Sequence, residues 1–176
     1  MEEIDVSKFV VDLNDFNVIQ KDKWNGSCGF VSIIEDQKTH IQYAAKVLKT
    51  PNVDKASDQK HFFKRLKMSI ILSGHPGFPF FYGFNLNHFG KKTKSINPTL
   101  IYQLIPNGTL YNQLIQSNQF SQNTLLTNTK KQILILGLAI AINYMHHNHI
   151  CHLDLKPDNI LFDQQFYPVI CDLGSA

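Results

Sequence analysis

Residues 130–147 read KKQILILGLAIAINYMHH, and from Ile133 to Ile142 everything is apolar except one glycine. The stretch is too short to cross a bilayer and too uniformly apolar for a surface helix, so as a helix it must be surrounded by other elements. A chain of 176 residues can supply that cover as one core, or as two small lobes sharing a cleft, but not as two large domains.

The elements available to cover it fall into two kinds. In the first third, FNVIQ, FVSIIED and IQYAAKVLK are short segments rich in β-branched and aromatic residues, with a turn at Asp36-Gln37-Lys38-Thr39, and they predict an antiparallel meander. Over 54–73 the period changes: Phe62, Leu66 and Ile70 recur at helical spacing while Lys60, Lys64, Arg65 and Lys67 fall elsewhere, which predicts a helix with a basic outer face, stopped at Gly74 before His75-Pro76. FPFFYGF and TLIYQLI predict a hairpin with a long basic loop. After Pro106-Asn107-Gly108 a short helix near Leu110–Gln116 and an Asn/Gln-rich connector lead to the apolar helix, and NILFD and YPVICD add two short strands.

Composition narrows the function. Hydrophobic residues make up 43% of the chain and charged residues 18%, which fits a folded protein and not a disordered one. The net charge of +3 is not gathered into a basic run interleaved with aromatics, so no nucleic-acid partner is expected. Cys28, Cys151 and Cys171 are too few and too scattered for a disulfide framework. With a start, Met1-Glu2-Glu3, unlike a signal peptide, the expectation is a cytoplasmic protein without a membrane anchor.

The chemistry concentrates in HHNHICHLDLKPDN, residues 146–159. Its histidines and cysteine offer metal ligands, but no second cluster exists, and histidines at a helix end also complement the helix dipole. As phosphate chemistry the stretch is more coherent: Asp154 can orient or deprotonate a hydroxyl, Lys156 can neutralise a phosphoryl group, and Asn159 can offer an amide oxygen to a metal. Asp172, followed by Leu173 and Gly174, is a second hard oxygen ligand suited to Mg2+.

In this order the residues resemble a eukaryotic protein kinase domain of serine/threonine type. The catalytic loop H-R-D-L-x-x-x-N is matched by His152-Leu153-Asp154-Leu155-Lys156-Pro157-Asp158-Asn159, and D-F-G by Asp172-Leu173-Gly174. WNGSCGFV then resembles the glycine-rich loop through Gly26, Gly29 and Val31, with Trp24 in place of its first glycine, and YAAK supplies Lys46. The phrase PNGTL resembles tyrosine-kinase-like serine/threonine kinases. The small-molecule phosphotransferases that share H-x-D-x-x-x-x-N are disfavoured by Lys156 and the D-L-G.

The resemblance implies an α+β fold: an antiparallel-sheet N-lobe with one helix and an incomplete, mainly helical C-lobe. It divides the chain into an extension at 1–15, N-lobe and hinge at 16–105, and a partial C-lobe at 106–176. It implies ATP and Mg2+ as ligands and a protein substrate or partner kinase. Asp154, Lys156 and Asn159 would be catalytic, with Asn159 and Asp172 on the metal. Gly26, Gly29 and Lys46 would lie at the phosphates, Val31, Ala44 and Leu161 around adenine, Tyr102 behind it, and Gln103 and Ile105 would bond it through their backbones.

Four departures bear on activity. No acid occurs between Phe62 and His75, so the helix glutamate expected to pair with Lys46 is replaced by Arg65 or Leu66, and Asp58 is roughly 12 Å away along a helix. Leu153 replaces the arginine that receives an activation-loop phosphate, so switching by loop phosphorylation is not expected. Trp24 can reshape the phosphate loop. The match stops two residues after the D-L-G, without an A-P-E segment, so helix 131–145 is expected to keep one uncovered side through which the chain could form an oligomer or complex.

Overall fold

The computed structural model describes residues 4–26, 29–49, 56–86, 97–119 and 127–173. The loop 87–96, the connector 120–126, Cys28 and Gly174 lie outside the described residues. The chain divides into two compact units, Met1–Ile70 with Phe81–Leu104 and Ile71–Phe80 with Ile105–Ala176.

The first unit is a five-stranded antiparallel sheet and one helix. Strands β1 (Phe16–Gly26), β2 (Gly29–Asp36), β3 (Gln42–Leu48), β4 (Phe81–Asn85) and β5 (Thr99–Gln103) are ordered β1-β2-β3-β5-β4, with helix α1 (Ala56–Leu72) between β3 and β4 in sequence. The turn from β2 to β3 forms because one oxygen of Asp36 accepts the backbone N–H groups of Lys38 and Thr39 at 2.9 and 2.7 Å, and His40 turns the chain back with φ 57°. Alternate residues supply two cores. Leu48, Leu100, Phe81 and Phe84 pack with Phe62 and Leu66 of α1, whereas Phe16, Ile34, Ala45 and Ile101 form a second cluster. Lys60, Lys64 and Lys67 are exposed, as the helical period predicts.

One strand differs from its pattern. Only Phe16–Gln20 has the β-branched and aromatic content of a strand, yet β1 continues to Gly26, because β2 pairs with it to the hairpin tip. After a first register shift between Val18 and Gln20, a second between Gln20 and Trp24 absorbs the polar Lys21-Asp22-Lys23: Asp22 takes φ 45° and its N–H donates to the buried Ser32 Oγ at 2.9 Å. Bulges and lysines of this kind blunt an edge strand.

The second unit contains α2 (Leu110–Gln119), α3 (Asn128–His147) and the hairpin β6 (Ile160–Phe162) and β7 (Pro168–Ile170). Thr127 caps α3 by accepting the Lys130 N–H at 3.3 Å. At its other end His149, at φ 58°, occupies the left-handed position of a Schellman motif, with its N–H on His146 O and the Ile150 N–H on Met145 O, both at 3.0 Å. The segment Ile71–Phe80 belongs to this unit: the Ile170 N–H donates to Gly77 O at 2.8 Å, and the His75 ring stacks on Tyr144 with centroids 4.6 Å apart.

The expectation that α3 is surrounded requires correction. Leu134, Ala141 and Met145 form a buried stripe, and Gly137 lies so close to Pro168 that a Cβ would come within 2.6 Å of its ring. Ile135, Leu136 and Ile140 are 67%, 63% and 50% exposed, because among the described residues cover comes from one side only. That open side matches the second expectation for the 131–145 region. Among the described residues no helix is long and apolar enough to cross a membrane.

Candidate functional site

In the first unit, register gathers the nucleotide-facing candidates. Val31 lies opposite Lys46, which lies opposite Leu100, and Ala44 lies between Ile33 and Tyr102. Directly opposed residues share a face of the sheet, so Val31, Ala44 and Lys46 are neighbours on the face that also carries Leu48 and Leu100 of the α1 core. Trp24 opposes Val31 on that face, 47% exposed, with the Lys23 amine 4.7 Å from its ring centroid. Gly26 and Gly29 are the closing pair of the β1–β2 hairpin, and a Cβ on Gly29 would lie 2.1 Å from Val47 O. The second glycine is therefore required by the approach of β3. Lys49 steadies the hairpin, its Nζ 2.7 Å from Asn25 Oδ1 and 4.5 Å from the Phe30 ring centroid.

Helix α1 offers no carboxylate among its described side chains. Leu66 is fully buried in the core, Arg65 is half-buried, and nothing acidic follows before His75. A polar tie reaches α1 from β5 instead: Ser69 Oγ donates to Arg65 O at 3.0 Å, so the Tyr102 hydroxyl, 2.8 Å from Ser69 Oγ, donates to it. Tyr102 thereby links the two elements. Gln103, the last residue of β5, is exposed, and Ile105 is buried in the second unit.

In the second unit the polar candidates form one connected network. Lys156 Nζ donates to Asp154 Oδ2 at 2.9 Å, and Asn159 Nδ2 donates to Asp154 O at 2.8 Å and to Oδ2 at 3.2 Å. Pro157 opens the short 3-10 turn Pro157–Asn159, which brings the buried Asn159 back toward Asp154. The Asp154 N–H donates to His152 Nδ1 at 3.4 Å, so Nε2 carries the proton and donates to Cys171 O at 2.9 Å. The Cys171 N–H in turn reaches Asn159 O at 2.9 Å, beside the Ile160–Ile170 pair of the hairpin. Leu161 is half-buried between Val169 and Thr109.

Two residues in this network occupy the left-handed region without being glycine: Leu153 at φ 60° and Asp172 at φ 60°. They adjoin the two ends of the His152–Cys171 bond, so one buried imidazole fixes both bends. Sequence reasoning identified His152 as the start of the loop but not the strained backbone on either side. Such strain persists where surrounding structure over-determines it.

Electrostatics follow from the same contacts. The hydrogen bond from Lys156 holds the Asp154 carboxyl below its ordinary range, reinforced by the lysine's charge and by the hydrogen bond from Asn159. The Lys156 amine is raised by its hydrogen bond to Asp154 and by the charges of Asp154, Asp158 and Asp172. Both groups are charged at neutral pH.

The oxygen donors fit magnesium better than a soft metal. Both Asn159 hydrogen bonds leave from Nδ2, and its buried Oδ1 receives no donor among the described residues. A buried acceptor without a donor near a half-buried carboxylate suits a hard cation. No group of three or more His, Cys, Asp or Glu is arranged to hold a metal among the described residues. His146 and His147 are exposed at the end of α3, and His149 serves its cap.

Comparison with known proteins points to one family. The family model described as protein kinase domain matches residues 24–176. Serine/threonine-protein kinase ksg1 of Schizosaccharomyces pombe is 31% identical over 152 residues, covering 86% of this chain and 23% of that protein. The cAMP-dependent protein kinase catalytic subunit of Arthrobotrys oligospora is 29% identical over 164 residues, covering 93% and 29%. The cGMP-dependent protein kinase of Toxoplasma gondii is 27% identical over 176 residues, covering 99% and 16%. The chain thus spans less than a third of each of these relatives.

Proposed function

The chain belongs to the protein kinase domain family, and from that premise we propose that it binds Mg-ATP and transfers the γ-phosphoryl group to a serine or threonine hydroxyl of a protein. The observation that carries this reading is the network of Asp154, Lys156 and Asn159, tied through His152 to Cys171 and so to the backbone of Asp172.

In this proposal Asp154 accepts the hydrogen bond of the substrate hydroxyl and aligns it for attack, and Lys156 offsets negative charge on the group in transfer. Asn159 Oδ1 and Asp172 hold magnesium, which supplies charge neutralisation on the phosphates. Lys46 aligns the α- and β-phosphates beneath the backbone of Gly26 and Gly29. Val31, Ala44 and Leu161 supply apolar contact to adenine, Tyr102 closes the rear, and the backbones of Gln103 and Ile105 hydrogen-bond its edge.

Incubation with labelled ATP, Mg2+ and a generic protein substrate tests the proposal. Transfer that disappears with Asp154→Asn is the expected result. ATP binding without transfer would sink the catalytic reading.

A second reading is favoured by the absence of a carboxylate among the described side chains of α1 and by the exposed Ile135, Leu136 and Ile140. Here the chain is a catalytically impaired, pseudokinase-like module that covers the open side of α3 with another kinase and modulates it. Light scattering at micromolar concentration should then show oligomers or a captured kinase, and a monodisperse monomer alongside full transfer activity counts against it.

A further inference from the structure

The segment before β1 contains a short repeat: Asp5-Val6-Ser7-Lys8-Phe9 is followed at once, after Val10-Val11, by Asp12-Leu13-Asn14-Asp15-Phe16. Each copy makes the same local structure. Asp5 caps the 3-10 turn Val6–Phe9 by accepting the Ser7 N–H at 3.1 Å, and Asp12 caps the turn Leu13–Asp15 by accepting the Asn14 N–H at 2.9 Å. The two copies bury their apolar residues in different places. Val6 and Phe9 pack on the cluster that holds Phe62 and Leu66 of α1. Val11, Leu13 and Phe16 join the cluster of Ile34, Ala45 and Ile101.

Between the copies the chain crosses the outer edge of β4. Val10 bridges Phe84 in parallel, the Val11 N–H donates to Phe84 O at 3.0 Å, and Asn85 Nδ2 donates to Val11 O at 2.7 Å. A Cβ on Gly83 would meet Val11 Cγ1 at 2.5 Å and Phe9 O at 2.6 Å, and the three nearest atoms all belong to this segment. Gly83 is therefore a glycine for the segment's sake. Ring contacts carry the grip onward: Phe9 lies 5.7 Å from Phe81, and Phe84 lies 5.8 Å from Phe62 of α1.

We propose that residues 5–16 are a two-pronged clip that closes on β4 from both sheet faces and, through Phe9–Phe81 and Phe84–Phe62, sets the position of α1. Phe9 and Gly83 are positioning residues and touch no reactant. The inference goes beyond the kinase reading and holds whether or not the chain transfers phosphate.

Amide hydrogen exchange on the full chain tests it in a double-mutant cycle of Phe9→Ala and Gly83→Ala, read at the amides of α1. Each single variant should speed exchange of α1 by about tenfold or more, the lower end of what one overpacked or half-buried emptied apolar site does to a local opening. The pair should be no faster than Gly83→Ala alone, because the methyl group added on β4 already displaces the clip. Fully additive effects would overturn the proposal, as would α1 exchange that neither variant changes. A neutral control is Lys8→Ala, exposed on the first turn, which should leave α1 exchange as it was.

Discussion

Lys46 and Asp154 are both proposed to serve the same reaction, but the regions around them are held in opposite ways. Around Asp154 polar groups restrain one another: Lys156, Asn159 and His152 each make a hydrogen bond within a few residues of the carboxylate. Around Lys46 position comes from strand register and from the apolar cluster joining Leu48 and Leu100 to Phe62 and Leu66. A polar network of this sort can be altered with modest loss of stability, whereas an apolar platform cannot, since its position and its folding energy come from the same contacts. The comparison predicts which region tolerates surgery.

The largest expected effect is on the apolar side. Leu66→Ala empties a fully buried site and should destabilise the first unit by about 2–5 kcal/mol in denaturant unfolding. A loss below that range would mean α1 is held by something other than this cluster. Next comes Gly29→Ala, whose Cβ would lie 2.1 Å from the backbone oxygen of Val47, so strand β3 or the hairpin must shift. A cost of about 1–3 kcal/mol is expected, as for overpacking, together with weaker nucleotide binding. Unchanged stability with weakened binding would show that the hairpin moves freely and that its glycine serves only the ligand.

The contrast also explains what was legible in the sequence. The network around Asp154 lies within one short stretch plus Asp172, so its residue types and spacing could be read directly, with His152 as the start of the loop, whereas the bond from His152 to Cys171 O needed the fold. The meander, the α1 period and the closing hairpin were equally legible because strand-length apolar runs bounded by turns, and helical spacing, are local signals. The clip was not, although Asp5-Val6-Ser7 and Asp12-Leu13-Asn14 repeat in plain view: which sheet edge such a segment covers is a long-range fact. The continuation of β1 through Lys21-Asp22-Lys23 was hidden for a related reason, since pairing with β2 overrides the local pattern. The open side of α3 shows the limit of uniform apolarity as a signal: it calls for cover without saying what supplies it.

On the polar side a smaller stability cost is expected. His152→Ala leaves Cys171 O and the Asp154 N–H without the imidazole between them, at about 1–3 kcal/mol for the stranded groups. Its sharper signature is local. With the bond gone, Leu153 and Asp172 lose the restraint at their left-handed bends, so amide exchange should rise in 153–154 and 171–173 and leave α1 untouched. Exchange spreading into α1 would break the comparison, because the two regions would then share one support.

The smallest effect is a titration. Lys156→Met removes the foremost cause of the depressed Asp154 carboxyl, so its midpoint, followed by carboxyl NMR, should rise toward the ordinary 3.8. The sign follows from linkage: a carboxyl lowered in the folded state contributes stability above its ordinary pKa, and that contribution fades as pH falls through the lower folded value. The raised Lys156 amine mirrors it, contributing below its ordinary 10.5 and losing the contribution as pH climbs through the raised folded value. Neither window touches neutrality, so the Asp154–Lys156 pair should give a flat stability profile there, and Lys156→Met should change transfer at pH 7 far more than folding. The pair is partly exposed and therefore weak as a support. A large loss of stability at neutral pH on removing Lys156 would make the network a structural brace, and the distinction between the two regions would collapse.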